Sequence, residues 1–260
     1  MSALAGRGIL ITRPAHQSAS LAERVRAVGG EPILFPALEI ADLVDPAPLN
    51  ALVARLAGFD WAVFVSPNAA SRALQSIRAH GVWPTDLRAA AVGRGTVREL
   101  NRQGVASVVA PQTHFDSEAL LECPELQAVA GRRIVIFRGD GGRETLGDTL
   151  AARGAQVEYA ACYRRVRPAA DPAARAALLA RWTRGDVQAV TAASAETLAN
   201  LFVLLGEAGA ARLCGTPVFV PHARIAQAAR ELGVATVTVT AAGEEGLVAG
   251  LTAWFARAVS

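Results

Sequence analysis

Gly6-Arg7-Gly8-Ile9-Leu10-Ile11-Thr12-Arg13 is a short apolar run between glycine and arginine, and 125 residues later it returns as Gly131-Arg132-Arg133-Ile134-Val135-Ile136-Phe137-Arg138. Two more blocks recur in the same order. Asp60-Trp61-Ala62-Val63-Phe64-Val65-Ser66 matches Asp186-Val187-Gln188-Ala189-Val190-Thr191-Ala192 at a spacing of 126, and Gly104-Val105-Ala106-Ser107-Val108-Val109 matches Gly233-Val234-Ala235-Thr236-Val237-Thr238 at 129. Ordered self-similarity at nearly one spacing predicts two similar units facing one another, with the space between them as the natural place for a ligand.

Around these blocks the chain alternates short apolar runs with stretches of helical periodicity. Strands are expected at 8–12, 32–35, 61–65, 89–92 and 107–110, and in the second copy at 133–138, 156–162, 188–191, 217–220 and 236–239. Ser18 or Ser20 is expected to cap the first helix, which Gly29-Gly30 ends, and residues 169–180 read as a connecting helix. Strands alternating with helices indicate parallel sheets covered on both faces, an α/β class of three layers per unit.

The bulk numbers narrow the chemistry. All 26 basic residues are arginine, so lysine Schiff bases and a P-loop lysine are excluded. A net charge of +3 with scattered arginines gives no reason to expect nucleic acid. No apolar run is expected to reach the roughly 20 residues of a membrane span, and the N-terminus leads into a strand and not a secretory signal. Three widely spaced cysteines, Cys123, Cys162 and Cys214, suit a reducing cytoplasm. His16, His80, His114 and His222 share no metal-ligand spacing with them, so no metal site is expected.

In parallel α/β sheets ligands gather at the carboxyl ends of the strands. Here those ends are Thr12-Arg13-Pro14, Ser66-Pro67-Asn68, Gly93-Arg94-Gly95-Thr96, Arg138-Gly139, Ala193-Ser194 and Pro221-His222. Small or hydroxylated residues at helix starts leave backbone N–H groups free, and with the helix dipole these favour carboxylates or phosphates. Gly93-Arg94-Gly95 is only half a dinucleotide fingerprint and reads better as a plain strand-to-helix turn. Ser66 and Ser194 sit in no nucleophile elbow; each could cap a helix, hold a ligand, or do both. On the residues alone, Tyr163, just beyond a strand, is either a structural linker tyrosine or a catalytic one.

Taken together, Ile11-Thr12-Arg13-Pro14, Phe35-Pro36, residues 64–70, Ala91-Val92-Gly93-Arg94-Gly95-Thr96, residues 115–121, Phe137-Arg138-Gly139 with Gly142-Arg143, Gly154-Ala155 and Cys162-Tyr163-Arg164-Arg165 resemble the uroporphyrinogen-III synthases over essentially the whole chain. The resemblance implies two flavodoxin-like α/β domains joined by a two-stranded linker. One would combine residues 1–36 with 167–260 and the other span 40–161, with linkers near 35–39 and 162–168. It implies a lyase of porphyrin and heme biosynthesis that cyclises hydroxymethylbilane to uroporphyrinogen III, inverting ring D and losing water, with no metal or organic cofactor. Tyr163 would assist departure of the hydroxyl, and Thr96, Ser66 and Ser194 would contact substrate. Arg13, Asn68, Gly93, Arg138 and Gly139 would line the same site. His222 stands where some members carry a hydroxyl, so it either binds a carboxylate or caps a helix. A cytoplasmic monomer touching the upstream hydroxymethylbilane synthase only transiently, with no nucleic acid or membrane partner, completes the expectation. The competing reading is a non-enzymatic two-domain protein that binds a polyanion or tetrapyrrole.

Overall fold

The computed structural model describes residues 4–257. The chain divides into two compact units, one running up to Glu39 and resuming at Val166, the other Ile40–Arg165. In chain order the strands are β1 (Gly8–Ile11), β2 (Glu31–Leu34), β3 (Glu39–Ala41), β4 (Trp61–Phe64), β5 (Arg88–Ala91), β6 (Val108–Val109), β7 (Arg133–Gly139), β8 (Gln156–Val166), β9 (Ala189–Thr191), β10 (Val218–Val220) and β11 (Val237–Val239). The helices are α1 (Ala15–Ala27), α2 (Ala47–Val53), α3 (Pro67–His80), α4 (Arg94–Arg102), α5 (Ser117–Leu121), α6 (Thr145–Ala152), α7 (Pro172–Thr183), α8 (Ala195–Cys214), α9 (Ala223–Glu231) and α10 (Gly243–Arg257). Helix α2 is not among the helices expected from the sequence, and β3 begins at the edge of the linker expected near 35–39.

The discontinuous unit carries the sheet β11-β10-β9-β1-β2, all of its pairs parallel. This is the doubly wound order 2-1-3-4-5. Alternate residues face opposite ways. Ile9, Ile11, Ala189 and Phe219 pack with Leu21, Val25, Leu247 and Leu251 of α1 and α10. Leu10, Val190, Val218 and Val220 pack with Leu178, Leu198, Leu201 and Ile225 of α7, α8 and α9. Gly8 must be glycine, because a Cβ there would stand 1.8 Å from the Asp186 carbonyl oxygen.

The other unit carries β3-β8-β7-β4-β5-β6. Without its edge strand β3 this is the same order, circularly permuted: β7 and β8 take the places of β1 and β2, and β4, β5 and β6 those of β9, β10 and β11. Each unit therefore draws two strands from one copy of the repeat and three from the other. The chain passes between the units within β3 and again within β8, and these two strands are hydrogen-bonded neighbours. Trp61, Val63, Ala90, Ile134 and Ile136 face α5 and α6, while Ala62, Phe64, Ala89, Val135 and Phe137 face α2, α3 and α4.

Strand register corrects the spacing of the middle block. Ile9 pairs with Ala189 and its repeat equivalent Ile134 pairs with Trp61. Trp61 therefore corresponds to Ala189 and not to Val187, two residues further on than the sequence match suggests. A shift of two preserves the inward–outward alternation, so the apolar pattern could not reveal it.

The start of α1 also differs from expectation. It begins at Ala15 behind Pro14, with no side-chain cap. Ser18 is buried in the first turn, its hydroxyl donating to the Arg13 and Pro14 carbonyls at 3.2 and 3.1 Å, while Ser20 donates to Glu244 at 2.7 Å. The connecting helix α7 is capped by Asp171, which accepts from the Ala173 and Ala174 amides, and so starts three residues later than expected. Among the described helices α8 is the one long and apolar enough, by length and composition, to cross a membrane. It is nevertheless broken at Gly206, and Leu198, Leu201, Leu205 and Leu213 are buried in the core.

Candidate functional site

Helices α3, α4, α8 and α9 each begin immediately after the carboxyl end of a strand, at Ser66, Gly93, Ser194 and His222. Ser66 and Ser194 have nearly the same extended backbone, and each hydroxyl accepts the amide three residues on: Ala69 N at 3.1 Å and Thr197 N at 3.0 Å. Their remaining partners differ. Ser194 Oγ shares a hydrogen bond with Thr197 Oγ1 at 2.8 Å, whereas Ser66 Oγ meets the Tyr163 hydroxyl at 3.2 Å. His222 is exposed at the N-cap of α9 and makes no side-chain cap bond. Asn68 lies half-buried in the first turn of α3, and Thr96 is buried in the first turn of α4.

Tyr163 lies inside β8, not beyond it, and is 5% exposed. Four residues earlier on the same strand, Tyr159 packs on the face covered by α5 and α6, and simple alternation would send Tyr163 there too. It goes to the other side because the ladder slips: Arg138 pairs with Ala161 but Gly139 with Tyr163, leaving Cys162 as the extra residue of a bulge. The displaced ring crosses the bare backbone of Gly139, where a Cβ would come within 3.0 Å of Tyr163 Cε2. Asp140 secures the bulge, its amide donating to the Tyr163 carbonyl at 2.9 Å and its carboxylate accepting from the Arg165 amide at 3.2 Å. Ser66, Gly139 and Tyr163, predicted separately from sequence, thus meet in one cluster of the Ile40–Arg165 unit.

Cys162 adjoins this cluster, but burial pushes its thiol up to about 12. At neutral pH it holds almost no thiolate and is a poor nucleophile. In the folded protein Cys162 should resist iodoacetamide at pH 8 while reacting fully in denaturant, as mass spectrometry of the digested protein would report. Alkylation at equal rates in both conditions would contradict the burial.

The repeat-related arginines are unequal. Arg13 is half-buried and pairs with Glu244 at 2.9 Å. Desolvation draws its guanidinium below its ordinary value and Glu244 draws it back; arginine stays charged in such surroundings. Arg138 lies with its guanidinium carbon 3.9 Å from the centre of the Tyr159 ring, and Glu144 is 3.7 Å away. Its buried Nη1 has no hydrogen-bond partner among the described residues. An unpaired buried donor on a permanent cation is costly unless an anion completes it. Sequence reasoning missed Tyr159 and Glu244, which hold these two arginines. Tyr159 donates to the Glu144 carbonyl at 3.0 Å, and burial raises its phenol above the ordinary value. Arg13, Ser194 and His222 belong to the discontinuous unit; the other candidates belong to the Ile40–Arg165 unit. Among the described residues no three His, Cys, Asp or Glu side chains gather as a metal site requires.

Comparison with known proteins gives the family. The family model described as uroporphyrinogen-III synthase HemD matches residues 19–249. The uroporphyrinogen-III synthase of Salmonella typhimurium is 36% identical over 227 residues, 86% of this chain and 91% of that protein. The Escherichia coli enzyme is 35% identical over the same shares. In fold, a mutant uroporphyrinogen III synthase from Thermus thermophilus superposes with a TM-score of 0.61 at 20% identity, covering 97% of this chain and 98% of that one. The Helicobacter pylori enzyme gives 0.59 at 12%, covering 98% and 100%. The chain belongs to the uroporphyrinogen-III synthase family.

Proposed function

We propose that this protein converts hydroxymethylbilane to uroporphyrinogen III, inverting ring D and releasing one water. The observation that carries the reading is Tyr163, a phenol brought by a bulge to the N-terminus of α3 and hydrogen-bonded there to Ser66. As the terminal C–O bond breaks, its electron pair leaves with oxygen, and a tyrosine can supply the proton that makes water the leaving group. The pyrrole nitrogen stabilises the cation left behind, so the protein's main task is to hold the chain in the conformation that closes on ring D. The substrate is a polycarboxylate. Within the Ile40–Arg165 unit the helix starts at Ser66 and Gly93 present positive dipole ends to it, and Arg138 Nη1 is a cationic donor with no hydrogen-bond partner among the described residues.

The protein is read further as a cytoplasmic monomer that needs no cofactor and takes its substrate from hydroxymethylbilane synthase through a transient contact. Three cysteines that remain free support a reducing compartment.

The test is to incubate the protein with hydroxymethylbilane and resolve the uroporphyrinogen isomers by chromatography. Isomer III is expected. Isomer I alone, the product of unassisted closure, would sink the reading in favour of a tetrapyrrole-binding protein.

A further inference from the structure

Ser66 and Ser194 are related by the repeat and have the same backbone and the same cap, but only Ser66 touches a tyrosine. A serine hydroxyl has one proton to give and two lone pairs. At Ser66 one lone pair is taken by the Ala69 amide, at the positive end of a 14-residue helix. Accepting a hydrogen bond polarises a hydroxyl and makes it a better donor, and the helix dipole acts in the same sense. The 3.2 Å contact with Tyr163 admits either direction of donation. Only one direction leaves the phenolic proton available. If Tyr163 donates to Ser66, its proton is engaged within the protein; if Ser66 donates, the phenol oxygen is held from one side and its proton points elsewhere.

We propose that Ser66 is a positioning residue: its hydroxyl, anchored by the Ala69 amide, donates to the Tyr163 oxygen and so directs the Tyr163 proton to substrate. The proposal rests on the synthase reading and adds to it the group that orients the acid. In the step itself the C–O bond of the hydroxymethyl group breaks, and oxygen takes the electron pair and the Tyr163 proton and leaves as water. The phenolate oxygen keeps the Ser66 hydrogen bond and recovers a proton from the pyrrole carbon when the ring closes. Gly139 lets the ring approach the backbone closely, so the phenol is held by packing as well as by the bond.

The experiment is a double-mutant cycle on the full chain, with kcat and KM for hydroxymethylbilane and the thermal midpoint measured for each variant. Ser66→Ala should lower kcat about fivefold, the worth of one hydrogen bond, with KM little changed. Ser66→Thr, which keeps both donor and acceptor, should restore it. In a Tyr163→Phe background Ser66→Ala should lower kcat no further, because the group through which it acts is gone. Losing the cap should also lower the midpoint by about 2–4 °C. Asp171→Ala, which removes the cap of α7 outside the site, supplies a midpoint shift of that kind with kcat unchanged. Equal effects of Ser66→Ala in both backgrounds would overturn the proposal, and so would an effect on KM alone, which would mark Ser66 as a substrate contact. A wild-type protein that yields no isomer III would instead overturn the synthase reading beneath it.

Discussion

Replacing Tyr163 with phenylalanine should lower turnover of hydroxymethylbilane about 10- to 100-fold while leaving the fold intact. General acid catalysis is worth roughly 10²–10⁴-fold. The effect expected here is at or below the lower end of that range, because the pyrrole already stabilises the cation left behind when the hydroxyl departs. The structural cost should be small. Phenylalanine keeps the ring that lies on Gly139 and joins the core with Phe64 and Phe137. Only the bond to Ser66 is lost, and Ser66 retains the Ala69 amide. One such bond is worth about 1 kcal/mol, which lowers the thermal midpoint by roughly 2–4 °C in a protein of this size. Initial rates of isomer III formation, set beside thermal melts, would check both parts. Unchanged turnover would remove Tyr163 from the mechanism; a collapse of the melt would assign it to structure.

Much of the molecule is legible in the sequence because sheet interiors write themselves as apolar runs. The ten strands expected from those runs are all present, and the helix starts that follow them fall at Ser66, Gly93, Ser194 and His222. What stayed hidden depends on partners far away in sequence. The two-residue slip between Trp61 and Ala189 conserves parity, so only the pairing with Ile134 and Ile9 exposes it. The bulge at Cys162 is a fault in the ladder with β7, and alternation along β8 alone puts Tyr163 on the wrong face. Arg13 and Arg138 look equivalent in the repeated blocks. They differ because Glu244, 231 residues from Arg13, pairs with one of them, while Tyr159 shelves the other. The site is therefore harder to read than the fold: its residues are recognisable singly, but their pairings are set by long-range contacts.

Phe64→Ala should cost about 3–5 kcal/mol, the range for truncating a buried aromatic. That is a large part of the 5–15 kcal/mol by which such proteins are stable. Phe64 is fully buried, stacked on Phe137 at 5.0 Å between ring centres, with Trp83 at 6.2 Å. Its position makes collapse of the cavity difficult. β4 lies between β7 and β5, and its register with β7 places Phe64 directly opposite Phe137. That pairing joins strands from different copies of the repeat, 73 residues apart in sequence, so little local structure remains to hold β4 once the stack is lost. Val239, 47% exposed on an edge strand, is the natural contrast, and Val239→Ala should change stability by no more than about 0.5 kcal/mol. Denaturant titration would measure both. Native-state hydrogen exchange would then locate the loss, with amides of β4, β5 and β7 losing protection before those of β1, β9 and β10, whose core is built from other residues. A cost for Phe64→Ala below about 1 kcal/mol would mean that the stacked pair does not hold the two copies together. The swapped strands would then owe their pairing to the backbone ladder and the apolar face on the other side of the sheet, where Ile134 and Ile136 meet Trp61 and Val63.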